Sequence, residues 1–258
     1  MTNVKNKSAE MYLHVTDYDD TIMPKESEHD AKICKDNAKR YSDFIKENPN
    51  MKVVYSSGRV VKDVIDKIKQ YNLPEPEYII GCVGAEIYDY RKGAYIKRWE
   101  ELMQKTNFDS KKIGKLLSNL NYREEKYSSK YKAYYHLINA KESDITTIDK
   151  CLKLFGIKAN INYSKQKNIE IVPKLANKAI AIKYVAKQMG ISHEKIAISG
   201  DSDNDYSMFV TNFSMKILPK NADESLKTKV ENIAGLYKCK SDRAYGVVEG
   251  LSEFIRKN

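Results

Sequence analysis

The chain has 258 residues, 41% hydrophobic and 31% charged, and carries a net charge of +10. This length supports one large domain or two small ones, and the composition excludes wholesale disorder. The lysines are spread along the chain, not gathered in one block, which argues against a nucleic-acid partner and fits a positive field that draws in small anionic ligands.

Residues 1–10 are polar and lack the apolar core of a secretory signal, so the cytosol is the expected compartment. No apolar run reaches the length of a membrane span, and no membrane partner is expected. The apolar run Tyr12-Leu13-His14-Val15 reads as a strand over 12–16 that ends at Asp17-Tyr18-Asp19-Asp20-Thr21. Charges left unsolvated at a strand end are paired or hold a metal; the plainer reading of this stretch is a polar strand-to-loop cap. A helix follows to about Glu47, with Cys34, Ala38, Tyr41, Phe44 and Ile45 on one face. Lys52–Tyr55 is a second strand ending at Ser56-Ser57-Gly58-Arg59, and Val60, Val61, Val64, Ile65 and Ile68 mark the next helix. Tyr78–Cys82 is a third strand. Strands alternating with amphipathic helices predict a parallel, doubly wound sheet, which binds ligands beyond the carboxyl ends of its strands.

The rhythm then changes. Ile87–Tyr90 and Ala94–Trp99 read as a hairpin, followed by a helix over 109–119 and a strand over 131–137. A helix over 143–155, with Ile145, Ile148, Leu152 and Phe155 on one face, leads to strands at 157–163 and 168–172. Helix 177–189, strand 196–199, strand 213–218, a helix near 223–230 and a last helix over 246–257 restore the first pattern. The four cysteines (Cys34, Cys82, Cys151, Cys239) form no Cys-x-x-Cys pair, so neither a zinc site nor a disulfide framework is expected.

Four segments stand out in order: Asp17-x-Asp19-x-Thr21, Ser57, Lys178 and Gly200-Asp201-Ser202-Asp203-Asn204-Asp205. Together they resemble the four motifs of the haloacid dehalogenase superfamily of phosphohydrolases. Val83–Tyr88, Lys130–Tyr135 and Asn168–Pro173 are similar to segments of its sucrose-phosphate phosphatase and Cof-like subgroup, which also includes phosphomannomutases. The resemblance implies a Rossmann-like α/β core with an inserted α+β cap of the C2 type. The expected division is core over 1–83, cap over 84–172 and core again over 173–258.

It also implies a Mg²⁺-dependent phosphatase acting on a small phosphorylated metabolite, a sugar phosphate above all. Asp17 would be the nucleophile that forms an aspartyl-phosphate, and Asp19 the general acid and then base. Asp17, the carbonyl of Asp19, and Asp201 would hold Mg²⁺, with Asp205 beside it. Asp203 reads as a solvated loop residue. Ser57, with Ser56 as the competing choice, Lys178, with Lys174 as the competing choice, and Asn204 would bind the phosphoryl group. Glu86, Lys130, Lys132 and Tyr134 are the candidate sugar contacts in the cap, against the plainer readings of Tyr134 as cap core and Lys130 as a solvated lysine. Many relatives have Gly where this chain has Asp20, which is expected to add negative charge near the site. A phosphosugar mutase and a non-catalytic binding protein are the alternatives; the latter conflicts with an intact motif set.

Overall fold

The computed structural model describes residues 10–26, 29–118, 122–124, 129–137, 142–164 and 168–258. In chain order its first part holds β1 (Tyr12–Thr16), α1 (Ala31–Glu47), β2 (Met51–Ser56), α2 (Val61–Tyr71) and β3 (Tyr78–Gly81). Next come β4 (Glu86–Asp89), β5 (Ala94–Tyr95), α3 (Lys97–Gln104), α4 (Ser110–Leu117), β6 (Tyr122–Glu124) and β7 (Ala133–Leu137). They are followed by α5 (Glu142–Leu154), β8 (Ala159–Ser164), β9 (Asn168–Pro173) and α6 (Lys178–Met189). The chain closes with β10 (Ile196–Ser199), α7 (Tyr206–Phe209), β11 (Met215–Leu218), α8 (Glu224–Val230), β12 (Leu236–Lys238) and α9 (Arg243–Lys257). Among the described residues no helix is long and apolar enough to cross a membrane. Residues 1–9, including the polar start, lie outside the described residues.

The chain forms two compact units. The first comprises residues 10–56, 65–78 and 182–258. Its strands run in the order β12-β11-β10-β1-β2, all parallel. Leu13, Val15, Val54, Ile196, Ala197 and Ile198 are fully buried, as expected of strands covered on both faces. Helix α1 starts at Asp30, whose side chain accepts from Lys32 N at 2.6 Å, a standard N-cap. Its buried face is Cys34, Ala38, Tyr41 and Phe44. Helix α9 packs on α1 and on β10 and β11.

The second unit comprises residues 57–64 and 79–181. Strands β3, β4 and β5 lie side by side in it, and a separate four-stranded sheet has the order β6-β7-β9-β8, antiparallel throughout. Gly84 has φ +99°, and a Cβ there would come within 2.5 Å of the Asn177 backbone, so only glycine fits. The indole of Trp99 donates to the Gly84 carbonyl at 3.1 Å.

Two expectations need correction. The hairpin's return strand stops at Tyr95; Lys97–Gln104 is helical because Trp99 and Met103, four residues apart, are the buried pair. The second is that β6, α7 and β12 fall where no element is expected: β12, Leu236–Lys238, sits at the sheet edge and none of its three residues is fully buried.

Candidate active site

Strand β1 lies between β2, which follows it in sequence, and β10, which comes much later. The winding direction reverses between β1 and β10, and open parallel sheets bind ligands beyond the carboxyl ends at such a point. Asp17 follows the last residue of β1, and Asp201 stands two residues past β10. The sheet ladder continues one step further there, Asp17 N donating to the Ser199 carbonyl at 3.0 Å.

The carboxylates of Asp17, Asp201 and Asp205 offer oxygens that all lie within 4.8 Å of one another. Their residues are 4%, 6% and 0% exposed. Three buried carboxylates at this spacing repel, so some stay protonated or a cation joins them. Burial, then the charges of Asp205 and Asp17, push the Asp201 carboxyl well above the usual carboxylate range, while the Thr21 hydroxyl opposes the shift. Thr21 Oγ1 donates to Asp201 Oδ1 at 2.5 Å. An all-oxygen, anionic donor set suits a hard divalent cation, and this buried cluster can hold a metal ion.

Asp205 has a second task. Its Oδ2 accepts from the backbone N of Asp201 at 3.0 Å and of Ser202 at 3.1 Å, and with Ser202 it forms a capping box. A Cβ at Gly200 would fall 2.5 Å from Asp205 Cβ, so the glycine lets the carboxylate fold back over the loop. Asp203, by contrast, is exposed and meets Lys229 at 2.9 Å and the Ser225 hydroxyl.

The other sequence candidates are distributed as follows. Asp19 is half-buried and stands outside the three-carboxylate cluster. Asn204 is exposed on the 3₁₀ turn Asp203–Asp205. Ser57 is buried past the end of β2; its N–H donates to the Ile80 carbonyl at 2.8 Å, and its Oγ accepts from Arg59 N at 3.1 Å. Lys178 opens α6 and is fully buried.

In the second unit the cap candidates separate. Lys132 is buried, pairs with Glu170 at 2.6 Å and donates to the Gly58 carbonyl at 2.7 Å. Burial alone would lower the Lys132 amine, but Glu170 outweighs it and holds the ammonium form. Glu86 is buried, and its Oε2 accepts from Val61 N at 3.1 Å at the start of α2. Burial raises the Glu86 carboxyl against that hydrogen bond. Tyr134 is half-buried with Lys132 Nζ 5.1 Å from its ring centre. Lys130 is an exposed lysine paired with Glu100 at 3.2 Å. Glu170 was missed by sequence reasoning, although a charge inside Asn168-Ile169-Glu170-Ile171-Val172 was the available signal.

Asp20 departs from its expectation. Its carboxylate contacts Lys25, and its Oδ1 accepts from Arg243 Nε and one terminal Arg243 nitrogen, each at 3.2 Å. Two cations therefore cancel the charge that the sequence seemed to add. Burial works to raise this carboxyl, but Lys25 and Arg243 hold it below the usual range. Asp20 also has φ +54°, a left-handed backbone for which glycine is the common choice.

The family model described as sucrose-6F-phosphate phosphohydrolase matches residues 10–255. The chain belongs to that family. The phosphatase is 27% identical over 242 residues to mannosylfructose-phosphate phosphatase of Agrobacterium fabrum, covering 92% of this chain and 94% of the relative. It is 25% identical over 226 residues to sucrose-phosphatase 1 of Nicotiana tabacum, covering 85% of this chain and 52% of that protein. The solved sucrose-phosphatase of Synechocystis, in complex with sucrose and phosphate, superposes with a TM-score of 0.79 over 95% of this chain and 98% of that one, at 21% identity. That likeness is one of fold: mixed α/β with a mainly parallel central sheet. The relatives are phosphatases, which sets aside the non-catalytic reading.

Proposed function

We propose that this phosphatase hydrolyses a sugar phosphate, with Mg²⁺, through an aspartyl-phosphate on Asp17. The observation that carries the reading is the buried Asp17–Asp201–Asp205 cluster at the point where the sheet reverses its winding. The substrate we favour is the phosphate ester of a fructose-containing disaccharide, a reading supported by the names of two relatives, a mannosylfructose-phosphate phosphatase and a sucrose-phosphatase. Residues 84–172 act as the part of the chain that selects the sugar.

Asp17 attacks phosphorus with a carboxylate oxygen as the bond to the sugar oxygen breaks, and Asp19 gives that oxygen its proton. Asp19 then takes a proton from water as the water oxygen attacks the aspartyl-phosphate, releasing phosphate and restoring Asp17. Ser57 donates to a phosphoryl oxygen, and Lys178 offsets charge that builds on the group in the transition state. Asn204 adds a further phosphate contact. Asp17, the Asp19 carbonyl, Asp201 and Asp205 would hold Mg²⁺, which supplies the countercharge that lets two anions approach. Among cap residues, Lys132, Glu86 and Tyr134 are the sugar contacts we favour, with Lys130 at the margin.

The test is phosphate release from a panel of sugar phosphates, including sucrose phosphate and mannosylfructose phosphate, with Mg²⁺ or with chelator, beside Asp17→Asn. Turnover with Mg²⁺ that vanishes in the variant is the expected result. A folded wild type that releases phosphate equally well in chelator, or an active Asp17→Asn, would overturn the reading.

A further inference from the structure

A chain of hydrogen bonds begins on α1 and ends on the backbone of Asp17. The Tyr41 hydroxyl lies 2.8 Å from His14 Nδ1, and His14 Nε2 lies 2.9 Å from Ser199 Oγ. Ser199 Oγ donates to Thr16 Oγ1 at 2.8 Å, and Thr16 Oγ1 donates to the Asp17 carbonyl at 2.7 Å. Tyr41, His14, Ser199 and Thr16 are all fully buried.

The protons in this chain have one arrangement. A hydroxyl has a single proton to donate. Ser199 spends its proton on Thr16, so its oxygen accepts from His14, and His14 carries the proton on Nε2. Nδ1 is then an acceptor, and Tyr41 donates to it. The polarity runs one way over four side chains, from Tyr41 to Asp17. Burial holds the imidazole neutral, lowering it to about 3.

A strand buried on both faces has no need of this. Such strands are ordinarily runs of valine, isoleucine and leucine, and each buried polar group must be matched or it destabilises the fold. The network sits where Thr16 and Ser199 are register partners of β1 and β10. Both peptide groups of Asp17 trace to Ser199: its N–H donates to the Ser199 carbonyl, and its carbonyl receives the hydroxyl that Ser199 orients.

We propose that Tyr41, His14, Ser199 and Thr16 are positioning residues that fix the Asp17 backbone, and with it the direction of the attacking carboxylate. The proposal rests on the nucleophilic role of Asp17 given above. It extends the working part of the molecule from the strand ends, through the interior of the sheet, to the buried face of α1.

Four variants and one spectrum test it. Thr16→Val keeps the shape and removes the last hydroxyl; kcat should fall about 10- to 100-fold, the loss expected from a slightly misplaced reacting group, with KM little changed. Thr16→Ser, which keeps the hydroxyl, should restore most of the loss. Ser199→Ala should behave as Thr16→Val does, and Tyr41→Phe should show a smaller fall in kcat. Nitrogen NMR of the wild-type protein should show His14 as the neutral Nε2–H tautomer, a readout that needs no variant to fold. An Nδ1–H or charged His14 would overturn the proposal. So would a folded Thr16→Val with wild-type kcat while Asp17→Asn is inactive. Full activity in Asp17→Asn would instead remove the role of Asp17, and this proposal with it.

Discussion

Thr21 and Asp201 share a 2.5 Å hydrogen bond although 180 positions separate them. The loop after β1 is thereby tied to the loop after β10, and the oxygen that Thr21 contacts belongs to the buried carboxylate cluster. A hydroxyl donor in this position orients the carboxylate and leaves its second oxygen free to turn toward a cation. Partners of this kind are worth about 10- to 100-fold in metal affinity or activity. Thr21→Val should therefore raise the Mg²⁺ concentration for half-maximal phosphate release by that factor. A Mg²⁺ titration unchanged from wild type would show that the hydroxyl matters only to packing.

The Asp20 pairings predict an order of stabilities. Arg243→Met leaves a largely buried carboxylate with Lys25 alone, and the cost lies between that of a surface pair and a buried one, about 2 kcal/mol. Asp20→Gly removes both ion pairs but also relieves a left-handed backbone of about 1 kcal/mol. Melting temperatures should then fall in the order wild type, Asp20→Gly, Arg243→Met. Adding Arg243→Met to Asp20→Gly should change little more, because the carboxylate it served is gone. Acid unfolding gives an independent check. A carboxyl held below its unfolded value stabilises the fold above that value and stops doing so as pH falls through the folded one. Arg243→Met should flatten this part of the acid limb.

His14 predicts a different pH window. Its folded value is about 3 against 6.5 unfolded. Between these values the unfolded chain binds a proton that the native protein refuses, so stability is full above pH 6.5 and declines as pH falls toward 3. The slope is about 1.4 kcal/mol per pH unit. Asp201, raised in the native state, works in the opposite sense, so the useful quantity is the difference between wild type and His14→Gln. Denaturant unfolding from pH 7 to 4.5 should show wild type losing stability more steeply than the variant. Parallel curves would mean that His14 is charged in the native protein.

Glu170 and Lys132 predict an asymmetry in the second unit. Removing one member of a buried pair strands the other, at a cost of about 3 kcal/mol, whereas replacing both with apolar groups is often near neutral. Glu170→Ala should lower the melting temperature more than the Lys132→Met, Glu170→Leu double variant does. If both residues also meet the sugar, the double variant should keep its fold and lose affinity for the substrate, seen as a raised KM.

Much of this was legible in the sequence, for identifiable reasons. Asp17, Ser57, Lys178 and Asp201 follow or begin regular elements whose apolar spacing is plain, so the order of motifs and the alternation of strand and helix carry the core. The carboxylate cluster needed the ends of two strands and, for Asp205, the short turn that follows β10. What escaped depends on partners far away in the chain. His14 reads as one polar letter in an apolar strand until Ser199, 185 positions later, is placed beside it. Asp20 reads as an added negative charge until Arg243, 223 positions away, cancels it. Lys97–Trp99 read as the end of a strand because aromatic and β-branched residues precede them, and the tertiary burial of Trp99 and Met103 overrode that signal.

Gly84 and Asn177 touch backbone to backbone, so the ninety-odd residues between them leave and return through one doorway. A segment with adjoining ends is a module: it can lengthen, shorten or be exchanged for another with a closure cost that grows only slowly with its length. The strands that carry Asp17 and Asp201 lie wholly outside it in sequence. Changes of length inside that segment therefore need not move either strand, and the absence of a side chain at Gly84 is what lets its two ends lie so close.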